Sequence, residues 1–253
     1  MIYSFDGSYP GFLTAVFESF ERKHFDVTPV LQNEFSGALF EEHFEIVTDL
    51  KKSSRVQKGL TKTLGAKDTL DIYKAFLSEK SEVWKALLFI IQQVFLGKTD
   101  ILQNFGDSHV LLFDKTLTSV NRERHRMKAF IRFQKSEDGM FHAVIEPDFN
   151  VLPLITDFFK KRYADQNWLI YDLKRNYGIF YDTIGLSEVQ LSHIQKNSLA
   201  KADQIISIDE KELHYQNLWK QYFKSTNIVA RKNIKLHLQH VPRRYWKYLV
   251  EKQ

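Results

Sequence analysis

The fold of this 253-residue chain is decided by the stretch from Ala129 to Asp182, where short apolar runs flank a helical segment. In order, these are AFIRF (129–133), FHAVI (141–145), the helical segment 151–162, WLIY (168–171) and IFYD (179–182). EDG at 137–139 separates the first two runs, and RNYG at 175–178 separates the last two. Turn residues between short apolar runs favour antiparallel hairpins. We therefore predict an antiparallel sheet, formed by residues 127–183, that carries one helix.

The N-terminal half is predicted to be mainly helical. Short strands are expected at 3–5 and near 43–47, and the spacing of apolar residues at 12, 16, 17 and 20 indicates a helix between them. Further helices are predicted up to Gly65, at 70–77, at 83–95 and from 107 to about 124. A last helical region begins near Leu213 and is interrupted by Pro242.

These elements place the protein in the α+β class, with a mainly helical N-terminal half, an antiparallel sheet with a packed helix in the second half, and a helical C-terminus. We expect one compact unit, 1–253, which can be divided into a mainly helical lobe (1–120) and a lobe with the sheet and the C-terminal helices (121–253). The hydrophobic content of 43% is sufficient for a core of this size.

Composition excludes several chemistries. The chain has no cysteine, so iron–sulfur ligation, thiol catalysis and disulfides are not possible within it. The longest apolar run, 86–95, is far shorter than the ~20 residues of a membrane-spanning helix, and no signal peptide is recognised at the N-terminus. We expect a cytoplasmic protein with no membrane partner. Because no nucleotide-binding or hydrolase motif occurs, we predict no cofactor.

Charge is unevenly distributed along the chain. Residues 1–120 contain 13 Lys/Arg and 16 Asp/Glu, whereas residues 224–253 contain eight Lys/Arg and one Asp/Glu. Such a concentration of positive charge indicates a polyanionic partner.

Two basic segments are candidates for contact with that partner. If 126–132 is a strand, then Arg126, Lys128 and Arg132 share one face and could meet phosphates, although a solvated outer sheet face explains the same alternation. In the tail, Arg231, Arg243 and Arg244 could hold phosphates. Alternatively, the rings beside them pack into the core and the charges remain solvated.

The candidates for catalysis are weaker. Glu146 and Asp148 lie two residues apart at a predicted strand end, a spacing that could serve acid/base chemistry, and His125 could assist them. A structural role is favoured, with Asp148 capping the helix that starts near Val151. His237-x-x-His240 has a spacing seen in metal sites, but no nearby carboxylate is identified, so no metal site is predicted.

Several segments of the chain form a recognisable set: 3–8 (YSFDGS), 123–133 (ERHRMKAFIRF), 146–148 (EPD), 151–154 (VLPL) and 242–246 (PRRYW). Together they resemble a known bacterial family that is labelled "probable DNA metabolism protein", and the resemblance extends over nearly the whole chain. Genes of this family typically lie beside one for a radical-SAM DNA repair or modification protein, and its domain also occurs fused to uracil-DNA-glycosylase-like domains. The resemblance implies a role in DNA metabolism, but it carries over no catalytic residue.

Three functions remain open on this basis. The first is a DNA-binding accessory in DNA repair or modification, acting with a radical-SAM partner that supplies the cysteine-bound cluster. The second is an enzyme that acts directly on damaged DNA through Glu146 or Asp148, with His125 or Arg126 orienting a phosphate. The third is a protein-interaction module that does not contact nucleic acid.

Overall fold

A computed structural model describes residues 1–34, 42–136, 139–190, 238, 241–249 and 252. Contacts divide the chain into two compact units, Met1–Arg122 and Glu123–Gln253. Helices dominate the first unit and a five-stranded sheet lies in the second, so the predicted α+β class is confirmed. Among the residues described, no helix is long and apolar enough to cross a membrane.

The first unit is built on a small parallel sheet covered by helices. Its elements are β1 (Ile2–Phe5), α1 (Tyr9–Glu21), β2 (Thr28–Leu31), β3 (His43–Glu45), α2 (Leu50–Phe76), α3 (Ser81–Phe95) and a short 3-10 helix (Ile101–Gln103). The strand order is β2-β1-β3, and both neighbours run parallel to β1. The strands β1 and β3 and the helix α1 confirm the sequence prediction, whereas β2 was not predicted.

Helix α2 covers two helices that the sequence predicted as separate. Gly65 has a positive φ of 84°, a conformation that glycine adopts without steric cost, and it kinks the helix. The predicted end near Gly65 is therefore a kink, and the next predicted helix is the second half of α2.

The second unit takes up the remainder of the chain. Its boundary falls inside α4 (Ser108–Phe130), and it continues with β4 (Gln134–Lys135), β5 (Phe141–Ile145), α5 (Leu152–Arg162), β6 (Trp168–Asp172), β7 (Tyr177–Tyr181), β8 (Leu186–Val189) and a 3-10 helix (Arg243–Tyr248). The strand order is β4-β5-β6-β7-β8.

The prediction of a purely antiparallel sheet is wrong at its centre. β5 pairs with β6 in parallel, while the β4–β5, β6–β7 and β7–β8 pairs are antiparallel. The reason is α5, which connects β5 to β6 as a crossover and returns the chain to the same end of the sheet before β6 begins. The predicted β6–β7 hairpin is confirmed.

The prediction that 129–133 forms a strand is also wrong. Helix α4 continues to Phe130, and Ile131 N–H still bonds to the carbonyl oxygen of Met127 at 3.1 Å. Glu123, Met127 and Ile131 are buried at helical spacing, so a period near 3.6 prevails over the alternation visible in the same run. Arg126 and Lys128 consequently point roughly 200° apart around the helix axis and cannot share a face.

The core of the second unit is aromatic and lies under the sheet. Trp168 is only 1% exposed and packs against Phe159 and Tyr181, whereas Phe133 is half-buried at the edge of the same cluster. Gly178, on β7, lies so close to β6 that a Cβ atom there would be 2.8 Å from the Ile170 carbonyl oxygen. A side chain at that position would force β6 and β7 apart.

Candidate functional site

The polar residues of the second unit converge at one edge of the sheet. Because β5 and β6 are parallel, the residues that follow β5 and those that end β6 meet at the same edge. Arg175 joins the two ends: Nη1 donates to Asp172 Oδ2 (2.8 Å) and to the Pro147 carbonyl oxygen (3.1 Å), and Nη2 donates to the Asp148 carbonyl oxygen (3.2 Å). The loop after β5 is thereby held against the end of β6.

Asp172 is the fully buried member of this edge. Its side chain also accepts the backbone N–H groups of Lys174 and Arg175, so the turn after β6 is built around it. Burial raises the pKa of Asp172 in spite of these hydrogen bonds and of the Arg175 guanidinium. Arg175 and the two backbone N–H groups thus oppose the effect of burial on this carboxylate.

Glu123, near the middle of α4, is the second buried carboxylate. It accepts hydrogen bonds from Tyr245 Oη (2.5 Å), Arg244 Nη2 (2.9 Å) and the Asp148 backbone N–H (3.1 Å). Arg244 also forms an ion pair with the Asp148 side chain, and its guanidinium lies 4.6 Å from the centre of the Tyr245 ring. One carboxylate thus fastens both the 243–248 helix and the loop after β5 to α4.

Glu146 is held by the same C-terminal 3-10 helix. It forms an ion pair with Lys247 and accepts a hydrogen bond from Tyr248 Oη at 2.5 Å. Burial opposes its ionisation, but the two hydrogen bonds outweigh that effect and lower the pKa of Glu146. We call the following residues the ionic cluster: Glu123, Glu146, Asp148, Arg244, Tyr245, Lys247 and Tyr248.

Two of the three candidates for catalysis, Glu146 and Asp148, belong to the ionic cluster. Asp148 does not cap α5, because the N-cap is Val151 and no side chain bonds there; this detail of the prediction is wrong. Instead, Glu146 and Asp148 are both paired with cations. His125 is exposed on α4. No cluster of His, Asp or Glu that could hold a metal occurs within the described ranges, and His237 and His240 lie outside them.

The predicted nucleic-acid contacts do not form one group. Arg132 Nη1 donates to the Ala129 carbonyl oxygen at 2.7 Å and so caps the end of α4. Arg244 belongs to the ionic cluster, whereas its neighbour Arg243 is exposed. Arg126 and Lys128 lie on different sides of α4, as described above, and Arg231 lies outside the described residues.

A different set of cations is brought together around Lys128. Its Nζ lies 5.0 Å from the centre of the Phe158 ring on α5. Arg124 precedes Lys128 by one helical turn, and Lys161 and Arg162 follow Phe158 by three and four residues, so each lies on the same side of its helix as this contact. We call Arg124, Lys128, Lys161 and Arg162 the cationic face.

Two positive charges of the cationic face, those of Arg124 and Lys128, lie close enough to repel each other. The pKa of Lys128 is lowered, first by partial burial and second by the nearby positive charge of Arg124. Sequence reasoning included Lys128 but missed the other three residues. The signal was the i, i+4 spacing of Arg124 and Lys128, which becomes meaningful only when α4 is extended to Phe130.

Comparison with protein families gives one match. The model of the family described as "Domain of unknown function (DUF4130)" matches residues 81–251, about two thirds of the chain. The chain belongs to this family. The DUF4130 match begins at the first residue of α3 and includes every residue of the ionic cluster and of the cationic face. No curated protein and no solved structure matches the chain.

The DUF4130 family is one of unknown function, as is the family that the sequence resembles. Three of the segments that carry the resemblance, 123–133, 146–148 and 242–246, meet in the ionic cluster. Many of the residues in these three segments therefore have a structural role: they hold the C-terminal 3-10 helix against α4 and the loop after β5.

Proposed function

We propose that this protein is a DNA-binding accessory in DNA repair or modification, which contacts the phosphate backbone through the cationic face. The observation that carries the proposal is the juxtaposition of Arg124 and Lys128 one helical turn apart, with Lys128 Nζ 5.0 Å from the centre of the Phe158 ring; partial burial, and then the Arg124 charge, lower the pKa of Lys128. Like charges one helical turn apart destabilise a helix by a few tenths of a kcal/mol. A bound phosphate would turn that cost into a favourable interaction.

The surroundings of these two cations support the proposal. In the part of the chain that the structure describes, neither Arg124 nor Lys128 forms a salt bridge. Lys161 and Arg162 extend the same positive region along α5 and are exposed. Cations that no described carboxylate neutralises can contact phosphates, whose condensed counterions are released on binding.

The net charge of the second unit points in the same direction. Its described residues contain 14 Lys/Arg and eight Asp/Glu, a net charge of +6. Four of those eight carboxylates, at Glu123, Glu146, Asp148 and Asp172, are held in ion pairs at the sheet edge. The ionic cluster thus confines much of the negative charge to one place.

Aromatic rings accompany the cationic face. Phe158 is half-buried under Lys128, and the half-buried Tyr163 ring lies 5.7 Å from the Arg162 guanidinium. Cations beside partly exposed rings are typical of surfaces that bind nucleic acid through phosphates and base stacking.

The proposed partner is a radical-SAM enzyme, and this part of the proposal rests on the resemblance. The chain has no cysteine, so a cluster for radical chemistry would have to come from a second protein. Co-purification of the two proteins, with and without single-stranded and duplex DNA, tests the partnership independently of DNA binding. If the enzyme is not retained under any of these conditions, the partnership is wrong.

DNA binding is tested by removing charge from the cationic face. We expect the double variant Arg124→Gln/Lys128→Gln to bind labelled oligonucleotides more weakly, with a log–log salt slope smaller by up to about two units, since each phosphate neutralised on duplex DNA contributes about −0.9. Fluorescence anisotropy at several salt concentrations gives both quantities for single-stranded and duplex DNA. The matched control is Lys98→Gln/Lys115→Gln, which removes the same charge from exposed positions of the first unit.

Stability measurements separate this role from a structural one. The variant relieves repulsion between Arg124 and Lys128 but loses the contact of Lys128 with Phe158, so its free energy of unfolding should stay within about 1 kcal/mol of that of the wild type. Two results would contradict the proposal: wild-type protein that binds neither strand state at low salt, or a double variant whose affinity and salt slope match those of the control.

A further inference from the structure

The first unit contains a groove that plays no part in the proposed function. It lies between the N-terminal turn of α1 and both halves of α2, and the kink at Gly65 shapes one side of it. Its volume of about 830 Å³ falls within the range of small-molecule sites. Two apolar side chains that line it, Leu50 and Leu70, are 70% and 47% exposed, so the groove presents apolar surface to solvent.

Two polar atoms in the lining have unmet hydrogen-bonding capacity. Within the described residues, Tyr9 Oη and Gln57 Oε1 are hidden from solvent and have no hydrogen-bond partner. Leaving a buried polar group without a partner costs about 1–3 kcal/mol, and native proteins contain few such groups. Two of them in one groove indicate that a ligand completes their bonding.

The aromatic residues of the groove restrict the shape of that ligand. The Tyr9 and Tyr73 rings meet edge to face, with centres 4.9 Å apart, and both residues line the groove. Burial, and then the neighbouring Tyr73, raise the pKa of Tyr9, so its hydroxyl remains a donor. Two aromatic rings at the wall of a groove favour a flat, aromatic ligand.

The polar groups restrict its chemistry. Gln57 Oε1 requires a donor and Tyr9 Oη can donate to an acceptor, so the ligand must carry both kinds of group. The edge of a nucleobase carries both. Among the described residues that line the groove, Lys58 has the one charge, and it is exposed at the rim where a phosphate could reach it.

We propose that the groove between α1 and α2 binds a nucleobase, with its sugar and phosphate directed toward Lys58. Tyr9 Oη and Gln57 Oε1 lie below the groove surface, so the base reaches them when lining side chains change rotamer, as side chains at a surface do within nanoseconds. The base comes either from a free nucleotide or from a DNA strand. The site lies in the first unit and does not depend on the cationic face of the second.

Titration of the whole protein with each of the common nucleoside monophosphates, followed by calorimetry or by NMR shifts of the tyrosine rings, tests the proposal. At least one of them should bind, and Gln57→Leu and Tyr9→Phe should each weaken its binding about tenfold, the effect of one lost hydrogen bond. Lys58→Gln should weaken a nucleotide but not its nucleoside. Gln103→Leu, an exposed glutamine outside the groove, is the matched control.

Thermal stability shows whether Tyr9 and Gln57 bind a ligand or only stabilise the fold. Without ligand, Gln57→Leu and Tyr9→Phe should melt at the wild-type temperature or above it, because each removes a polar atom that has no partner. Single-stranded oligonucleotides added to the Arg124→Gln/Lys128→Gln variant distinguish a base within DNA from a free nucleotide. The proposal is overturned if no nucleotide or oligonucleotide binds at millimolar concentration, or if both groove variants bind as tightly as Gln103→Leu.

Discussion

Replacing Glu123 by leucine should weaken the attachment of the C-terminal 3-10 helix to α4. The substitution leaves the buried Tyr245 hydroxyl and the Asp148 backbone N–H without their acceptor. A buried group without a partner costs about 1–3 kcal/mol and the partly buried Asp148 N–H adds less, so we expect a loss of about 1–4 kcal/mol in unfolding free energy. Arg244 adds little to this loss, because it is 42% exposed and retains its ion pair with Asp148.

A double-mutant cycle isolates the central hydrogen bond. Tyr245→Phe removes only the hydroxyl, whose bond to an ionised carboxylate contributes about 1.5–3 kcal/mol. In the Glu123→Leu background the same change should have a much smaller effect, with a coupling energy of about 1–3 kcal/mol.

Urea unfolding followed by circular dichroism and by tryptophan fluorescence gives these energies. Trp246 is a suitable reporter because it belongs to the fastened helix, where its indole N–H donates to the Val241 carbonyl oxygen at 3.0 Å. Limited proteolysis should cleave the Glu123→Leu protein near its C-terminus before the sheet unfolds. A coupling energy below about 0.5 kcal/mol would refute the view that Glu123 fastens this helix through Tyr245.

Three further predictions concern the second unit. Arg175→Met should cost about 3–5 kcal/mol in chemical denaturation, because it leaves Asp172 as an uncompensated buried charge, and an Asp172→Asn second change should recover part of the loss. Trp168→Ala should cost roughly 3–5 kcal/mol by the same assay, as for other large core side chains; a loss under about 1 kcal/mol would mean that the ring does not pack as described. Since the pKa of Glu146 is lowered from its ordinary value of 4.5, its pairing with Lys247 stabilises the fold above that pH and is lost as the pH falls below it. Glu146→Gln should therefore flatten the pH dependence of stability in that range, and unchanged curves would show that the pair contributes nothing.

Local pattern was sufficient for most elements of the fold. Helices α3 and α5 and the hairpin of β6 and β7 were predicted close to their observed bounds, because apolar periodicity and turn residues are local properties of the chain. The prediction of a strand was wrong in a segment whose apolar residues fit both the period of a strand and the period of a helix. In 126–133 the alternation of basic and apolar residues favoured a strand, whereas burial of Met127 and Ile131 together with Glu123 selected the helix.

The sequence predicted several residues of the candidate site but not their arrangement in space. The sequence indicated that Glu146, Asp148 and Arg244 matter, but not that they meet, since Arg244 is about a hundred residues away from the other two. Glu123 was not predicted as a site residue, although it begins one of the segments that carry the resemblance. Its role depends on the burial of one helical position against a segment that joins it only in the folded chain.

By itself, the sequence determined the α+β class, the positions of most helices and strands, the absence of cysteine chemistry and the concentration of positive charge in the second half. These follow from composition and from contacts between residues close in the chain. Tertiary structure alone decided that β5 and β6 are parallel, that their ends gather the carboxylates, and that Lys128 lies over Phe158 beside Arg124. Such features depend on which distant segments share a buried surface, and the free energy of that burial belongs to the whole fold, not to any local pattern.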